Sequence, residues 1–126
     1  MQETKVTFHP KKSQPVTLTC EIAKSFVEKM KGLMYRTSLP DDKGMLFQFL
    51  VPWYRGFWMK NVNIPLDIIF VNRKLRVIAM HEASVESSWF HKIYWSHGFC
   101  KYVVECNVGF CKKYGISLGT KIDIKK

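Results

Sequence analysis

The sequence has no hydrophobic run long enough to cross a bilayer. No segment reaches about 18 consecutive apolar residues, and residues 1–5 lack the apolar stretch of a secretory signal. We therefore expect a soluble, cytoplasmic protein that does not insert into membranes. An exported protein whose signal has been removed would have the same sequence.

Common catalytic and metal-binding signatures are also missing. There is no Gly-x-Ser-x-Gly motif, phosphate-cradling glycine loop or dinucleotide fingerprint. The His and Glu residues between positions 81 and 97 lack the spacing of a zinc site, and no cysteine pair forms Cys-x-x-Cys. We expect no cofactor, no metal and four reduced thiols. These are Cys20, Cys100, Cys106 and Cys111.

Acidic residues are scarce relative to basic ones. The chain has 20 Lys and Arg against 10 Asp and Glu, a net charge of +10. The basic residues are scattered, with doublets but no run of five or more. This distribution favours weak, salt-sensitive and non-specific attraction to polyanions such as nucleic acids over a dedicated binding site.

The residues that are present predict one ordered, mainly β domain over residues 1–126. Apolar residues make up 47% of the chain and aromatic residues 14%, enough for a core without disulfides. Polar and apolar residues alternate over residues 5–9, 16–22 and 121–124, as in half-buried strands. Short apolar runs indicate further strands at 45–50, 57–60, 66–71, 75–80 and 100–106. The close spacing of the first four of these runs predicts hairpin or meander pairing.

Two short helices interrupt the strand pattern. Ser25 and Glu28 have the spacing of a capping box, and Gly32 can end the helix that follows. A second helix is expected before Gly115, with Asn107 as its cap, whereas residues 35–44 are typical of a loop. The first helix is expected to bury one face against the sheet. That face comprises Phe26, Met30 and Leu33.

Five segments together resemble one family. They are Gly-Leu-Met-Tyr-Arg at 32–36, Gly-Met-Leu-Phe at 44–47, Phe-Trp-Met-Lys-Asn at 57–61, Ile-Pro-Leu-Asp-Ile-Ile-Phe at 64–70 and Tyr-Val-Val-Glu-Cys-Asn-Val-Gly at 102–109. Their order and spacing are similar to those of the family catalogued as domain of unknown function 192, from about residue 18 to 124. The resemblance implies a β-sandwich or jelly-roll-like domain with about seven or more short strands and one or two short helices. It implies no activity.

Polar residues within these segments form the first candidate site. A charged residue inside an apolar strand is costly unless it is paired or solvated, and Glu105 is expected to pair with Arg36 or Lys60. The group could converge on one ligand pocket, or form a structural network that pins the loop at 35–44 to the sheet. The group comprises Arg36, Lys60, Asn61, Asp67, Glu105 and Asn107.

The second candidate site is the aromatic segment at residues 89–99. Its rings are interleaved with Lys and His, a composition that could stack on sugars or single-stranded bases. The alternative is that the rings close an open end of the core. The candidate residues are Trp89, Tyr94 and Trp95.

These features favour a small non-catalytic binding or accessory module, with a small molecule or carbohydrate as a possible ligand. One alternative is a small hydrolase-like enzyme using Asp67 and Glu105, because paired carboxylates support acid–base chemistry. The other alternative is a non-specific polyanion binder. The sequence leaves the physiological partner unknown.

Overall fold

The computed structural model describes residues 1–87 and 89–125, which form nine strands and two short helices. The strands are β1 (Glu3–His9), β2 (Val16–Ala23), β3 (Lys43–Trp53), β4 (Gly56–Phe57), β5 (Leu66–Val71), β6 (Val77–Ala83), β7 (Tyr94–Trp95), β8 (Cys100–Asn107) and β9 (Lys121–Ile124). The helices are α1 (Phe26–Lys31) and α2 (Phe110–Tyr114). The predicted mainly β fold with two short helices is confirmed.

Seven strands form one sheet that curls into a half-barrel, in the order β6-β5-β8-β3-β2-β1-β9. The β2–β3 pair is parallel and the other pairs are antiparallel. Strands β4 and β7 form a separate ribbon. The predicted hairpin exists between β5 and β6, but a continuous meander is wrong because β8 inserts between β3 and β5.

The central strands are covered on both faces. In β5, Ile68 and Phe70 contribute to one hydrophobic cluster, whereas Ile69 and Val71 contribute to another on the opposite face. Successive side chains of a strand point to opposite faces, so a strand buried on both needs a continuous apolar run. This explains why β5 lacks the polar alternation seen in β1 and β2.

Helix α1 begins as predicted but buries less than predicted. The Ser25 hydroxyl accepts a hydrogen bond from the Glu28 amide, and the Glu28 carboxylate accepts one from the Ser25 amide, each at 3.1 Å. Leu33, just beyond the helix, is buried. The predicted burial of Phe26 and Met30 is wrong, because their side chains are 78% and 53% exposed beside an open pocket.

Helix α2 is present, but its predicted cap is wrong. Its N-cap is Gly109, which has a φ of 94° and no capping side chain. The carboxylate of Asp67 in β5 instead accepts hydrogen bonds from the Gly109 and Cys111 amides, at 3.3 and 2.8 Å. A residue about forty positions away therefore replaces the local cap that the sequence indicated.

All four cysteines are buried free thiols, as predicted. Within the described ranges, no helix is long and apolar enough to cross a membrane.

Candidate functional site

An open pocket of about 460 Å³ lies between α1 and strands β3 and β4. Its walls include Phe26 and Met30 from α1, Phe49 from β3, Phe57 from β4 and Trp58 just beyond. Phe57 is held edge-on against Phe49, with ring centroids 6.4 Å apart. The exposed apolar residues of α1 therefore form one lip of an apolar cleft.

Glu105 of β8 lines this pocket and is 4% exposed. Its backbone lies opposite Met45 of β3 and Ile68 of β5, both fully buried. Its carboxyl group has no hydrogen bond or ion pair with any residue that the structure describes. Burial disfavours the charged form and raises the pKa of Glu105 to about 8. The group is therefore mainly a neutral acid at pH 7 and can donate a hydrogen bond.

Two cations approach one aromatic ring at the pocket wall. The Lys29 Nζ atom lies 4.4 Å from the Phe49 ring centroid, and the Arg55 Cζ atom lies 3.6 Å from it. Burial, and secondarily the charge of Arg55, lower the pKa of Lys29. One guanidinium nitrogen of Arg55 donates to the Val51 carbonyl at 2.6 Å. Its Nε atom is buried and lacks an acceptor in the described part of the chain.

A hydrogen-bonded pair with unusual backbone geometry stands near the pocket. Tyr35 and Asn61 have φ values of 66° and 60°, a region that non-glycine residues seldom adopt. The Tyr35 amide donates to the Asn61 carbonyl at 2.8 Å, and the Asn61 amide nitrogen donates to the Tyr35 hydroxyl at 3.0 Å. These bonds tie the segment after α1 to the segment after β4.

The predicted pair between Arg36 and Glu105 is wrong. Arg36 binds Glu21 of β2 instead, with guanidinium–carboxylate distances of 2.5 and 3.1 Å. Asn107 donates to the Leu39 carbonyl at 2.6 Å and so fastens the loop at residues 35–44. Both contacts belong to the structural network that was the alternative interpretation of the polar group.

Asp67 and Glu105 do not share a site. Asp67 lies opposite Cys106 and Ile68 lies opposite Glu105, so the two carboxyl groups project from opposite faces of the sheet. Asp67 is engaged by the amides of α2. The acid–base arrangement required by the hydrolase-like alternative is therefore not formed by these two residues.

The other predicted candidates lie around the pocket or on the surface. Lys60 is exposed, with its Nζ atom 5.4 Å from the ring centroid of Trp58 in the pocket wall. Trp89 and Trp95 are 83% and 54% exposed, whereas Tyr94 is buried in the core. Thus only one of the three rings closes the core, and a ligand role for the other two stays a prediction.

Sequence reasoning missed Lys29 and Arg55 as pocket residues. Neither residue interrupts an apolar strand, which was the signal used to select polar candidates. The pocket forms because α1 stands away from β3, and a local pattern does not specify that separation. Phe26 and Lys29 of α1 both line the pocket, and Phe26 is exposed there although its helical spacing predicted burial.

Comparison with known proteins gives a family and a fold. Residues 7–124 match the profile of DUF192, described as "Uncharacterized ACR". A crystal structure from Sinorhizobium meliloti, of a protein provisionally named a transcription regulator, has 32% identity and a TM-score of 0.90, covering 98% of this chain and 94% of that one. A protein of unknown function from Novosphingobium aromaticivorans has 35% identity and a TM-score of 0.90, covering 98% and 86%.

No functionally curated protein matches the chain. The function of the family and of these structural relatives is not established. Nearly the whole length of the chain is matched by the family profile and by the two structures. The chain therefore belongs to the domain of unknown function 192 family.

Proposed function

We propose that this protein is a non-catalytic binding module whose pocket accepts a small amphipathic anion. The observation that carries the proposal is the pair of cations, Lys29 and Arg55, that flanks the Phe49 ring and lines an apolar pocket. Burial and the neighbouring charge of Arg55 both lower the pKa of Lys29. An anionic ligand group would offset the repulsion between Arg55 and Lys29 and could accept hydrogen bonds from these cations.

The walls of the pocket suit the apolar part of such a ligand. Ligand pockets commonly have volumes of roughly 300–1,000 Å³ and are lined mainly by apolar and aromatic side chains, with a few polar groups. The pocket here, at about 460 Å³, has this composition. An alkyl or aromatic body would contact Met30, Phe57 and Trp58, so the lining favours such a ligand over a carbohydrate.

Glu105 supports the same ligand class. A neutral carboxyl group does not repel an anion, and it can donate a hydrogen bond to a ligand oxygen. A cationic ligand would have to approach both Lys29 and Arg55, which line the same pocket. The charges of the wall therefore select against amines.

Three ligands with one alkyl chain and different head groups test the proposal. Decanoate, decanol and decylamine are titrated into the protein at pH 6.5 by calorimetry. We expect decanoate to bind more tightly than decanol, and decylamine to bind weakest. No binding of decanoate, or tighter binding of decylamine, would refute the proposal.

A pair of lysine variants locates the site. Lys29→Gln removes the pocket ammonium and should weaken decanoate binding about tenfold, while changing decanol binding little. Lys12→Gln removes the same charge from an exposed position that does not line the pocket, and should leave both affinities unchanged. Equal losses in the two variants would indicate only general electrostatic attraction.

A further inference from the structure

A second surface, outside the pocket, is formed by the end of β3 and the turn after it. Leu50 is 91% exposed, Val51 57% and Trp53 60%. Leu50 and Val51 lie where the pairing of β3 with β8 is interrupted, between Gln48 and Trp53, and both are exposed at this end of the strand. Tyr54 and Phe99, 58% and 51% exposed, pack against it. We call these five residues the aromatic tip.

The rings of the aromatic tip are already packed against one another. Trp53 and Phe99 are stacked with centroids 5.4 Å apart, and Tyr54 meets Phe99 edge-on at 4.8 Å. The tip therefore presents a preformed apolar cluster and does not offer separate rings with two free faces. Clusters of exposed apolar side chains on a folded protein commonly mark an interaction site.

The surroundings of the aromatic tip carry positive charge. Leu50 shares a shallow depression with Lys24, Lys29 and Lys101, and no acidic residue lines it. Glu28 of α1 is held by the Lys24 and Ser25 amides and does not line this depression. The two chain segments that build the tip, residues 43–66 and 87–104, contain no Asp or Glu.

We propose that the aromatic tip docks on the surface of an anionic lipid bilayer. Trp and Tyr partition to the level of lipid head groups, and exposed aliphatic side chains reach the acyl boundary below it. Basic residues near the surface each add about 1 kcal/mol of attraction to anionic lipids. The tip combines these two features, and docking would be peripheral because the described residues contain no membrane-spanning helix.

Two other occupants fit less well. A second copy of the chain would bring two basic, acid-free surfaces together, and like charges at an interface repel. Single-stranded nucleic acid binds by stacking bases on free aromatic faces, but Phe99 already covers one face of Trp53 and packs against Tyr54. Leu50 and Val51 offer no stacking surface. An anionic bilayer uses the aliphatic, aromatic and basic parts of the surface together.

Vesicle flotation tests the proposal with the full chain. Vesicles of phosphatidylcholine alone are compared with vesicles containing about one-third phosphatidylglycerol. We expect the protein to float with the anionic vesicles and to stay in solution with the neutral ones. Absence from the anionic vesicles would overturn the proposal.

A double variant separates docking by the tip from simple charge attraction. Leu50→Ser with Trp53→Ser changes exposed residues, preserves the net charge and does not alter the pocket lining. It should lower the vesicle partition constant about tenfold or more. Leu118→Ser, at a site that is 66% exposed and outside the tip, is the matched control and should bind as the original chain does. Equal binding by the double variant would overturn the proposal.

Oligonucleotide binding by the same proteins tests single-stranded nucleic acid as the alternative occupant of the tip. If the tip serves lipid, single-stranded DNA should bind the original chain and the double variant with equal, weak affinity. DNA binding that is tighter than vesicle binding and is lost in the double variant would overturn the lipid assignment. Because neither substituted residue lines the pocket, decanoate binding should be unchanged, so failure here is independent of the proposed pocket ligand.

Discussion

Glu105 lies in the centre of a sheet, and its carboxyl group has no hydrogen-bond or ion-pair partner among the described residues. Its raised pKa, about 8 against an ordinary value of 4.5, means that the folded chain holds a proton that the unfolded chain releases between these pH values. The contribution of this group to the free energy of unfolding is therefore at its full value below about pH 4.5. It falls as the pH rises to about 8, by at most about 1.4 kcal/mol per pH unit.

The first prediction uses this slope. Glu105→Gln keeps a neutral side chain at every pH, so its free energy of unfolding should not show the loss that the original chain shows between pH 5.5 and 8.5. At pH 8.5 the variant should be the more stable protein. Urea unfolding at both pH values measures this, and the histidines, shared by both chains, cancel in the difference. Exposed Glu3→Gln is the control, and an identical pH slope in both chains would contradict the prediction.

The second residue-scale prediction concerns Asp67. Its two carboxylate oxygens accept from the Gly109 and Cys111 amides, and the residue is 2% exposed. Asp67→Asn leaves only one acceptor, so one buried amide loses its partner and the free energy of unfolding should fall by about 1–3 kcal/mol. Asp42→Asn, at an exposed position, should change it little. Equal midpoints of urea unfolding for the two variants would show that Asp67 does not hold α2.

At the scale of one element, helix α1 was predicted correctly, but the face that it buries was not. Phe26→Ala should change the free energy of unfolding by no more than about 0.5 kcal/mol, because the ring is mostly exposed. Leu33→Ala should cost about 2–5 kcal/mol, because that side chain is 1% exposed in the core. Chemical denaturation of both variants checks the contrast. A large loss from Phe26→Ala would mean that the pocket is closed in solution.

The predictability of the elements follows the range of the interactions that form them. Strands β1, β2 and β9 could be predicted from the alternation of consecutive polar and apolar residues, and β5 from its continuous apolar run. The capping box of α1 is equally local, with both bonds inside four residues. The apolar run at 57–60 indicated a strand, but only Phe57 of it belongs to β4, and β7 had no such pattern; each of these two-residue strands exists only through pairing with the other. The cap of α2 was missed for the same reason, since Asp67 reaches it from another strand.

At the scale of the molecule, the order of strands and the candidate pocket required the structure. The family resemblance implied a β fold, and the apolar runs gave most strands, but neither specified that β8 separates β3 from β5. That insertion places Glu105 against the pocket and turns Asp67 to the other face. Of the six polar residues only Glu105 lines the pocket, and the others make separate contacts, because their partners depend on strand register and on distant segments.

The final prediction treats the four thiols as reporters of the whole fold. All four are buried, and burial raises the pKa of Cys20 to about 12 and also raises those of Cys106 and Cys111. Since the thiolate is the reactive form, native protein should react slowly with an aromatic disulfide reagent, and faster as urea increases the unfolded population. In full denaturant without reductant, four equivalents should react, and three in Cys111→Ser. Two or none would reveal disulfides, whereas rapid labelling of all four without urea would show that the sheet opens far more readily than its buried core allows.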